Sequence, residues 1–287
     1  MTRIVYVNGA YKRYAEAAVH AEDRGFQFAD AIYEVIEVLN GHLIDATRHL
    51  ARLSRSLREL GIAPPMSDAA LKRIIAQVIR RNRVRNGIVY MQVTRGAGPR
   101  DFSLPPPGMP PTLIVLARSQ RKGWSDELAL TGIRVRTIPD NRWGRSDIKT
   151  VMLLPAVLAK DEARRHGAKE AWFVDAKGNV TEGASSNAWI VTTDGTLLTH
   201  PLDPQVLPGV TRATVMDIAK SEGLKVEERS FSKDEALRSR EAFVTSATNI
   251  VMPVVEIDGT PVGDGRPGPL ARQLRLRFHH VAEISAG

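Results

Sequence analysis

The chain has 287 residues, 43% of them apolar and 25% charged, a composition ordinary for a globular protein with a substantial core. No apolar run approaches the roughly 18–20 residues of a membrane helix, and the absence of cysteine excludes disulfides and thiolate metal sites. The net charge of +8 raises nucleic acid as a partner, but the basic stretches 80–85 and 272–277 are interleaved with apolar residues, as solvated helix faces are. No zinc-finger spacing or RNP-like aromatic motif accompanies them, so no nucleic acid is expected, and a small anionic ligand suits these arginines better. The first 25 residues lack the apolar core and cleavage site of a secretory signal. A cytoplasmic address is expected, with no membrane partner.

Residues 4–7 read as a strand closed by Asn8-Gly9, a strong turn signal. Residues 32–39 are rich in β-branched side chains, and Asn40-Gly41 then turns the chain into 42–44, which predicts a hairpin. An amphipathic helix follows over 49–60, with Leu50, Leu53, Leu57 and Leu60 on one face and Gly61 as its stop. A second helix is predicted over 71–84, and 87–94 and 112–117 are strands flanking a proline-rich loop. The polar, turn-rich stretch 118–125 reads as a boundary between a small N-terminal domain, 1–120, and a larger C-terminal domain, 121–287.

Beyond it come a strand over 133–138, a loop over 139–150, and a helix over 154–166 with Pro155 in its first turn and Gly167 after it. Strands over 171–174, 180–182 and 187–191 follow, and then a helical run over 213–221. Short strands and helices without strict βα alternation argue for an α+β fold. No Gly-x-Gly-x-x-Gly follows a strand, which disfavours a dinucleotide fold.

Several residues have the chemistry of a site, each beside a plainer reading. Pro208-Gly209-Val210-Thr211-Arg212 precedes a helix, where free N–H groups and the dipole favour an anion; Thr211 is expected both to cap the helix and to donate to a phosphate oxygen. A capped helix is the plainer reading. Lys149 stands where a polar stretch becomes apolar, a border at which partial burial activates an amine; taken alone it is a surface lysine. Glu182 closes a strand and has the chemistry to pair with a pyridine nitrogen, or simply faces water. Arg52 lies off the leucine face of its helix, so periodicity leaves it exposed. The seven histidines form no H-E-x-x-H pattern and share no carboxylate spacing, and Gly183-Ala184-Ser185-Ser186 is not a nucleophile elbow.

These pieces occur together in one order. The stretch from Glu22 through Asp30-Ala31-Ile32-Tyr33-Glu34-Val35 resembles the opening signature of D-amino-acid transaminases, members of the fold-type IV pyridoxal-phosphate (PLP) family. His49-Leu50-Ala51-Arg52-Leu53 is similar to that family's phosphate-arginine helix. Asp140-Asn141-Arg142-Trp143 with Asp147-Ile148-Lys149 resembles its Schiff-base segment. Thr181 to Asn187, Leu207 to Arg212 and Phe243 to Thr248, the last resembling a cofactor-side loop, complete the series, and the similarity runs from Tyr6 to Phe278.

The resemblance implies a two-domain α+β fold-type IV enzyme, a homodimer, with pyridoxal 5'-phosphate as cofactor and no metal. It implies Lys149 as the Schiff-base lysine and proton carrier, and Glu182 as partner of the pyridine nitrogen. Arg52, Thr211 and the Val210 amide would hold the phosphate, and Leu207 would back the ring. Tyr33 and Val35 would line the substrate side, and Arg100, from the partner subunit, would bind the substrate carboxylate.

Three positions depart from the family pattern. Phe102 replaces the histidine of the Pro-Arg-x-His carboxylate trap and is expected to weaken carboxylate capture. Ala31 replaces a glycine, and Ala247 stands where relatives place a phosphate-binding threonine, leaving Ser246, Thr248 or backbone. The expected reaction is transamination of D-amino acids, such as D-alanine with 2-oxoglutarate giving pyruvate and D-glutamate. Tolerance of (R)-amines is expected from Phe102. An (R)-amine or branched-chain transaminase and an aminodeoxychorismate lyase are the alternatives. The lack of a tyrosine soon after Lys149 favours the D-type over the branched-chain enzymes.

Overall fold

The structure, a computed structural model, describes residues 3–286. It contains two compact units. The first comprises the chain up to Lys122, the segment Ile148–Met152 and the stretch from Glu283 on; the second comprises Gly123–Asp147 and Leu153–Ala282. The expected cut at 120/121 falls beside the end of the first stretch, but two short later segments return to the first unit.

In the first unit, strands β1 (Ile4–Val7) and β2 (Ala10–Arg13) form a hairpin, and a short helix α1 (Arg24–Phe28) leads into β3 (Ala31–Leu39) and β4 (His42–Ile44). Asn40 and Gly41 join the latter pair at φ 53° and 88°. A two-residue turn of this hand matches the twist of the strands it joins, and glycine reaches it without steric cost. Helix α2 (Ala46–Leu60) buries Leu50, Leu53 and Leu57 and ends at Gly61, as expected. It begins three residues before the expected His49, because Ala46 is already buried at its start.

Helix α3 (Asp68–Asn82) likewise starts earlier than expected, where the Ser67 hydroxyl accepts a hydrogen bond from the Ala70 amide. Strands β5 (Gly87–Thr94) and β6 (Thr112–Ser119) complete a seven-stranded sheet. From one edge it runs Ile284–Ala286, β4, β3, β5, β6, β1, β2.

The second unit opens with α4 (Trp124–Thr131), which hydrophobic periodicity does not reveal: Leu130 is exposed while Ala129 is buried. Then come β7 (Ile133–Pro139), α5 (Leu154–Arg165), β8 (Glu170–Val174), β9 (Val180–Gly183), β10 (Asn187–Val191) and β11 (Leu197–Thr199). They are followed by α6 (Val210–Ser221), β12 (Val226–Glu228), α7 (Lys233–Leu237), β13 (Glu241–Ser246), β14 (Ile250–Ile257), β15 (Thr260–Pro261) and α8 (Pro269–Val281). The sheet order is β12-β11-β10-β13-β14-β7-β8-β9, with β15 paired to β14.

On this sheet Trp172, Ile190, Leu198, Phe231, Val244 and Met252 form the core. Burying each such side chain contributes about 1.5–3 kcal/mol, enough together to fix the strand ends that carry the candidate residues. Among the described residues no helix is long and apolar enough to cross a membrane.

Candidate active site

Along β3, Ile32, Glu34, Ile36 and Val38 are buried, and Tyr33, Val35 and Glu37 lie on the less buried face. Strand β4 is three residues long and meets β3 only at Val38 and Leu39, so it leaves the edge of β3 at Ala31–Tyr33 uncovered. The Ile148–Met152 segment takes that edge. The Tyr33 amide donates to the Lys149 carbonyl (3.0 Å), the Val151 amide donates to the Ala31 carbonyl (3.1 Å), and Thr150 bridges Ile32. Buried backbone groups at a strand edge need such partners, so the lysine segment is tied to the sheet rather than left as free loop. The Lys149 Nζ donates to the Tyr33 hydroxyl at 3.3 Å and lies 4.3 Å from the ring centroid. Among the described residues no carboxylate pairs with it.

Arg52 is only 9% exposed, contrary to the surface position that helical periodicity assigned it. The cause is Glu34, a fully buried carboxylate on the core face of β3. Arg52 Nε and Nη2 donate to the two Glu34 oxygens at 2.7 and 2.9 Å, a bidentate pair, and His49 Nδ1 lies 2.8 Å from Glu34 Oε2. Burial alone would raise the Glu34 pKa, but the charge and hydrogen bonds of Arg52, with His49, hold it well below the usual carboxylate range. Burial lowers the His49 pKa; Glu34 pulls the other way, and the positive charges of Arg52 and Lys149 add to the lowering. His49 is therefore neutral at pH 7.

This arrangement makes stability depend on pH in a definite direction. The unfolded histidine takes a proton as pH falls through its ordinary value of 6.5, and the folded one resists it; the unfolded Glu34 does the same at 4.5. The unfolded state binds more protons in both windows, so stability falls with acidification below 6.5 and again below 4.5. Thermal unfolding should show a smaller loss between pH 7 and 5 in His49→Gln than in the wild type. Equal losses in the two proteins would contradict this assignment.

Arg100 and Phe102 lie in the exposed loop between β5 and β6, and among the described residues neither is hydrogen-bonded to Lys149 or Tyr33. Ala31 is fully buried against Thr94 of β5, and its carbonyl receives the Val151 amide. Val35 lies two residues from Tyr33 on the same face of β3, opposite Tyr90.

In the second unit Glu182 is the third of the four residues of β9 and is buried. Its Oε2 accepts from Asn187 Nδ2 and from the Leu207 amide, both at 3.1 Å, and its Oε1 pairs with Arg142. Asn187 Nδ2 also donates to the Leu207 carbonyl at 2.9 Å, joining Glu182 and Leu207 through one side chain. Arg142 Nε and Nη2 donate to the two Asp140 oxygens at 2.9 and 2.7 Å, and its guanidinium lies 4.4 Å from the Phe173 ring centroid. Burial opposes ionisation of both Asp140 and Arg142. Their hydrogen bonds and opposite charges prevail, lowering the Asp140 pKa and raising that of Arg142. The result is a carboxylate, Glu182, that faces a fixed cation, Arg142, at one of its oxygens.

Helix α6 starts at Val210, three residues before the expected helical run, and its N-cap is Gly209 with no side-chain cap. Thr211 is thus the second helical residue, which corrects the expectation that it caps the helix. A Cβ on Gly209 would lie 2.0 Å from Asn187 Oδ1, so only glycine permits this approach. The Thr211 hydroxyl has no hydrogen-bond partner among the described residues. An uncapped helix end with an unspent hydroxyl suits an anion. Phe243 and its successors up to Ser246 belong to strand β13 rather than to a loop; Ala247 lies in the turn after it, where Ser246 Oγ accepts from the Asn249 amide at 3.2 Å.

A model of the amino-transferase class IV family matches residues 31–257. The chain belongs to that family. This class IV aminotransferase is 38% identical over 280 residues to the D-alanine aminotransferase of Staphylococcus haemolyticus, covering 97% of this chain and 98% of the relative. To the D-alanine aminotransferase of Bacillus licheniformis it is 39% identical over 276 residues, 96% of each chain. Among solved structures, the Escherichia coli branched-chain amino acid aminotransferase superposes with a TM-score of 0.88 at 25% identity, over 98% of this chain and 95% of that one. The branched-chain aminotransferase of the archaeon Thermoproteus uzoniensis, solved with norvaline, gives 0.85 at 26% identity, over 98% and 94%. The expected α+β fold of type IV is therefore the fold of this class IV aminotransferase.

Sequence reasoning passed over Glu34, His49, Asp140, Arg142 and Asn187 as site residues. One signal was available: Glu34 is a carboxylate on the apolar phase of a strand, a position that demands a buried partner. Asn187 and Arg142 carried no comparable signal, because their partners come from separate elements.

Proposed function

We propose that this chain is a PLP-dependent aminotransferase of D-amino acids, converting D-alanine and 2-oxoglutarate to pyruvate and D-glutamate. The observation that carries this reading is the Lys149 amine, fixed by backbone hydrogen bonds to β3 beside the Tyr33 hydroxyl and without a carboxylate partner. The D-amino-acid preference is supported by 38–39% identity over nearly the whole chain to D-alanine aminotransferases, against 25–26% to the branched-chain enzymes.

The residues present fit pyridoxal 5'-phosphate by the chemistry of their donors. In the first unit, Lys149 would attach it and Arg52, its plane set by Glu34, would contribute charge for the phosphate. In the second, the Val210 and Thr211 end of α6 would hold phosphate, Glu182 would face the ring nitrogen and Leu207 would back the ring. When bound, the cofactor supplies the electron sink for carbanion chemistry at Cα. Lys149 Nζ takes the proton from the donor's Cα, and Tyr33, whose hydroxyl already contacts that amine, keeps it oriented. Glu182, held by Arg142, would pair with the ring nitrogen and favour its protonated form. Tyr33 and Val35 border the substrate, and Arg100 takes its carboxylate.

A homodimer belongs to this reading, in which Arg100 acts toward the partner subunit. It is supported by Leu154, Val157 and Leu158, which lie at helical spacing on α5 and are each more than half exposed. Purified protein with added PLP should form pyruvate from D-alanine beyond one equivalent per site only when 2-oxoglutarate is present. L-Leucine as the faster donor would indicate the branched-chain reaction. Pyruvate released from aminodeoxychorismate without a keto acid would indicate the lyase.

A further inference from the structure

Phe102 is 82% exposed, an unusual position for an aromatic ring with no core to join. Its contacts are with Phe28, whose ring centroid lies 5.5 Å away, and with Arg100, whose guanidinium carbon lies 5.5 Å from the Phe102 centroid. Arg100 is also 5.3 Å from the Phe28 centroid. These ring contacts are all that Arg100 makes among the described residues: no carboxylate or carbonyl accepts from its guanidinium.

The backbone beneath is pinned. Arg24, itself buried, donates through Nη1 to the Asp101 carbonyl at 2.8 Å and the Ser103 carbonyl at 3.4 Å. Its Nε donates to Asp30 Oδ2 at 2.9 Å, an oxygen that also accepts from Arg95 Nε at 2.7 Å. Asp101 Oδ1 receives the Ser103 amide at 2.7 Å, closing a local turn. Arg24 lies over Phe28 as well, at 4.8 Å, so one ring faces two guanidinium groups. The first is ion-paired with Asp30, which it shares with Arg95; the second, Arg100, has no carboxylate among the described residues.

We propose that Phe102 is a positioning residue for Arg100: together with Phe28 it orients the guanidinium by ring contact and leaves its N–H groups for a substrate carboxylate. The proposal rests on the assignment of Arg100 as carboxylate ligand under the proposed function. A ring restricts the rotamers of a long side chain without consuming any of its five donors. A hydrogen-bonding neighbour would have taken part of that donor set or shared the anion. Phe102 thus supports carboxylate capture, the reverse of the weakening expected from loss of the trap histidine.

The test uses the PLP-loaded protein, with two readouts: D-alanine kinetics and the dissociation constant of propionate measured by calorimetry. Phe102→Leu keeps an apolar, exposed side chain but removes the ring. It should raise the D-alanine KM and the propionate Kd by about fivefold, the size of one cation–π contact, while kcat moves less than about twofold. Phe102→Tyr should restore both constants. In an Arg100→Leu background, Phe102→Leu should shift neither. An unchanged propionate Kd in Phe102→Leu, an equal shift without Arg100, or a fall in kcat at constant KM would each overturn the proposal. If D-alanine proves not to be a substrate, the functional reading fails, and the propionate titration still decides the role of Phe102.

Discussion

Lys149→Ala is expected to abolish the visible absorbance that purified protein acquires with PLP, and to reduce D-alanine transamination by at least about a thousandfold, the upper range for losing a positioned proton carrier and nucleophile. The backbone of the segment makes this a clean substitution. The Lys149 carbonyl and amide hold the chain to Tyr33 and Ser56, and neither bond involves the side chain. The fold should therefore survive, with the thermal midpoint of the cofactor-free protein within a few degrees of wild type. Retained absorbance and activity in Lys149→Ala would remove the basis of the proposed function.

Glu34→Ala should have the largest effect on stability. It leaves the Arg52 guanidinium buried without its two carboxylate oxygens and deprives His49 of its partner. Removing one member of a buried, hydrogen-bonded ion pair typically costs about 3–5 kcal/mol. In a protein of this size that lowers the unfolding midpoint by on the order of 10 °C. Glu34→Gln keeps an acceptor and the volume but not the charge, and should fall between the two. PLP affinity should weaken in the same order, because Glu34 sets the plane of Arg52. An unfolding midpoint unchanged in Glu34→Ala would show that Glu34 and Arg52 do not act as a pair.

Much of the fold was legible because local chemistry and tertiary structure agreed. Strands β5 and β10 follow from their β-branched and aromatic runs to the residue, and Asn40-Gly41 marks its hairpin. Helix starts were harder. Both α2 and α6 begin three residues early, since Ala46 and Val210 are buried by packing that helical periodicity does not register.

The candidate residues divide the same way. Lys149, Glu182 and Val210-Thr211 were recognisable as ordered motifs, but their surroundings were not. Lys149 is oriented because β4 is too short to cover the start of β3, a fact of sheet pairing. Arg52 was assigned to the surface because helical phase ignores a carboxylate on another element. Arg142 stood in a quoted motif, yet its hold on Glu182 spans 40 residues of sequence. In sequence Phe102 registers only as the loss of a hydrogen-bonding side chain; its ring contact with Arg100 is visible only in the structure.

The most direct measurement of the proposed function is the stereochemistry of a single half-reaction. PLP-loaded protein is mixed with D-alanine, and separately with L-alanine, in the absence of any keto acid, and the cofactor's visible absorbance is followed. Loss of that absorbance with D-alanine, with stoichiometric pyruvate and a rate at least about tenfold above that for L-alanine, is the expected result. Faster conversion with L-alanine, or no spectral change with either, would contradict it.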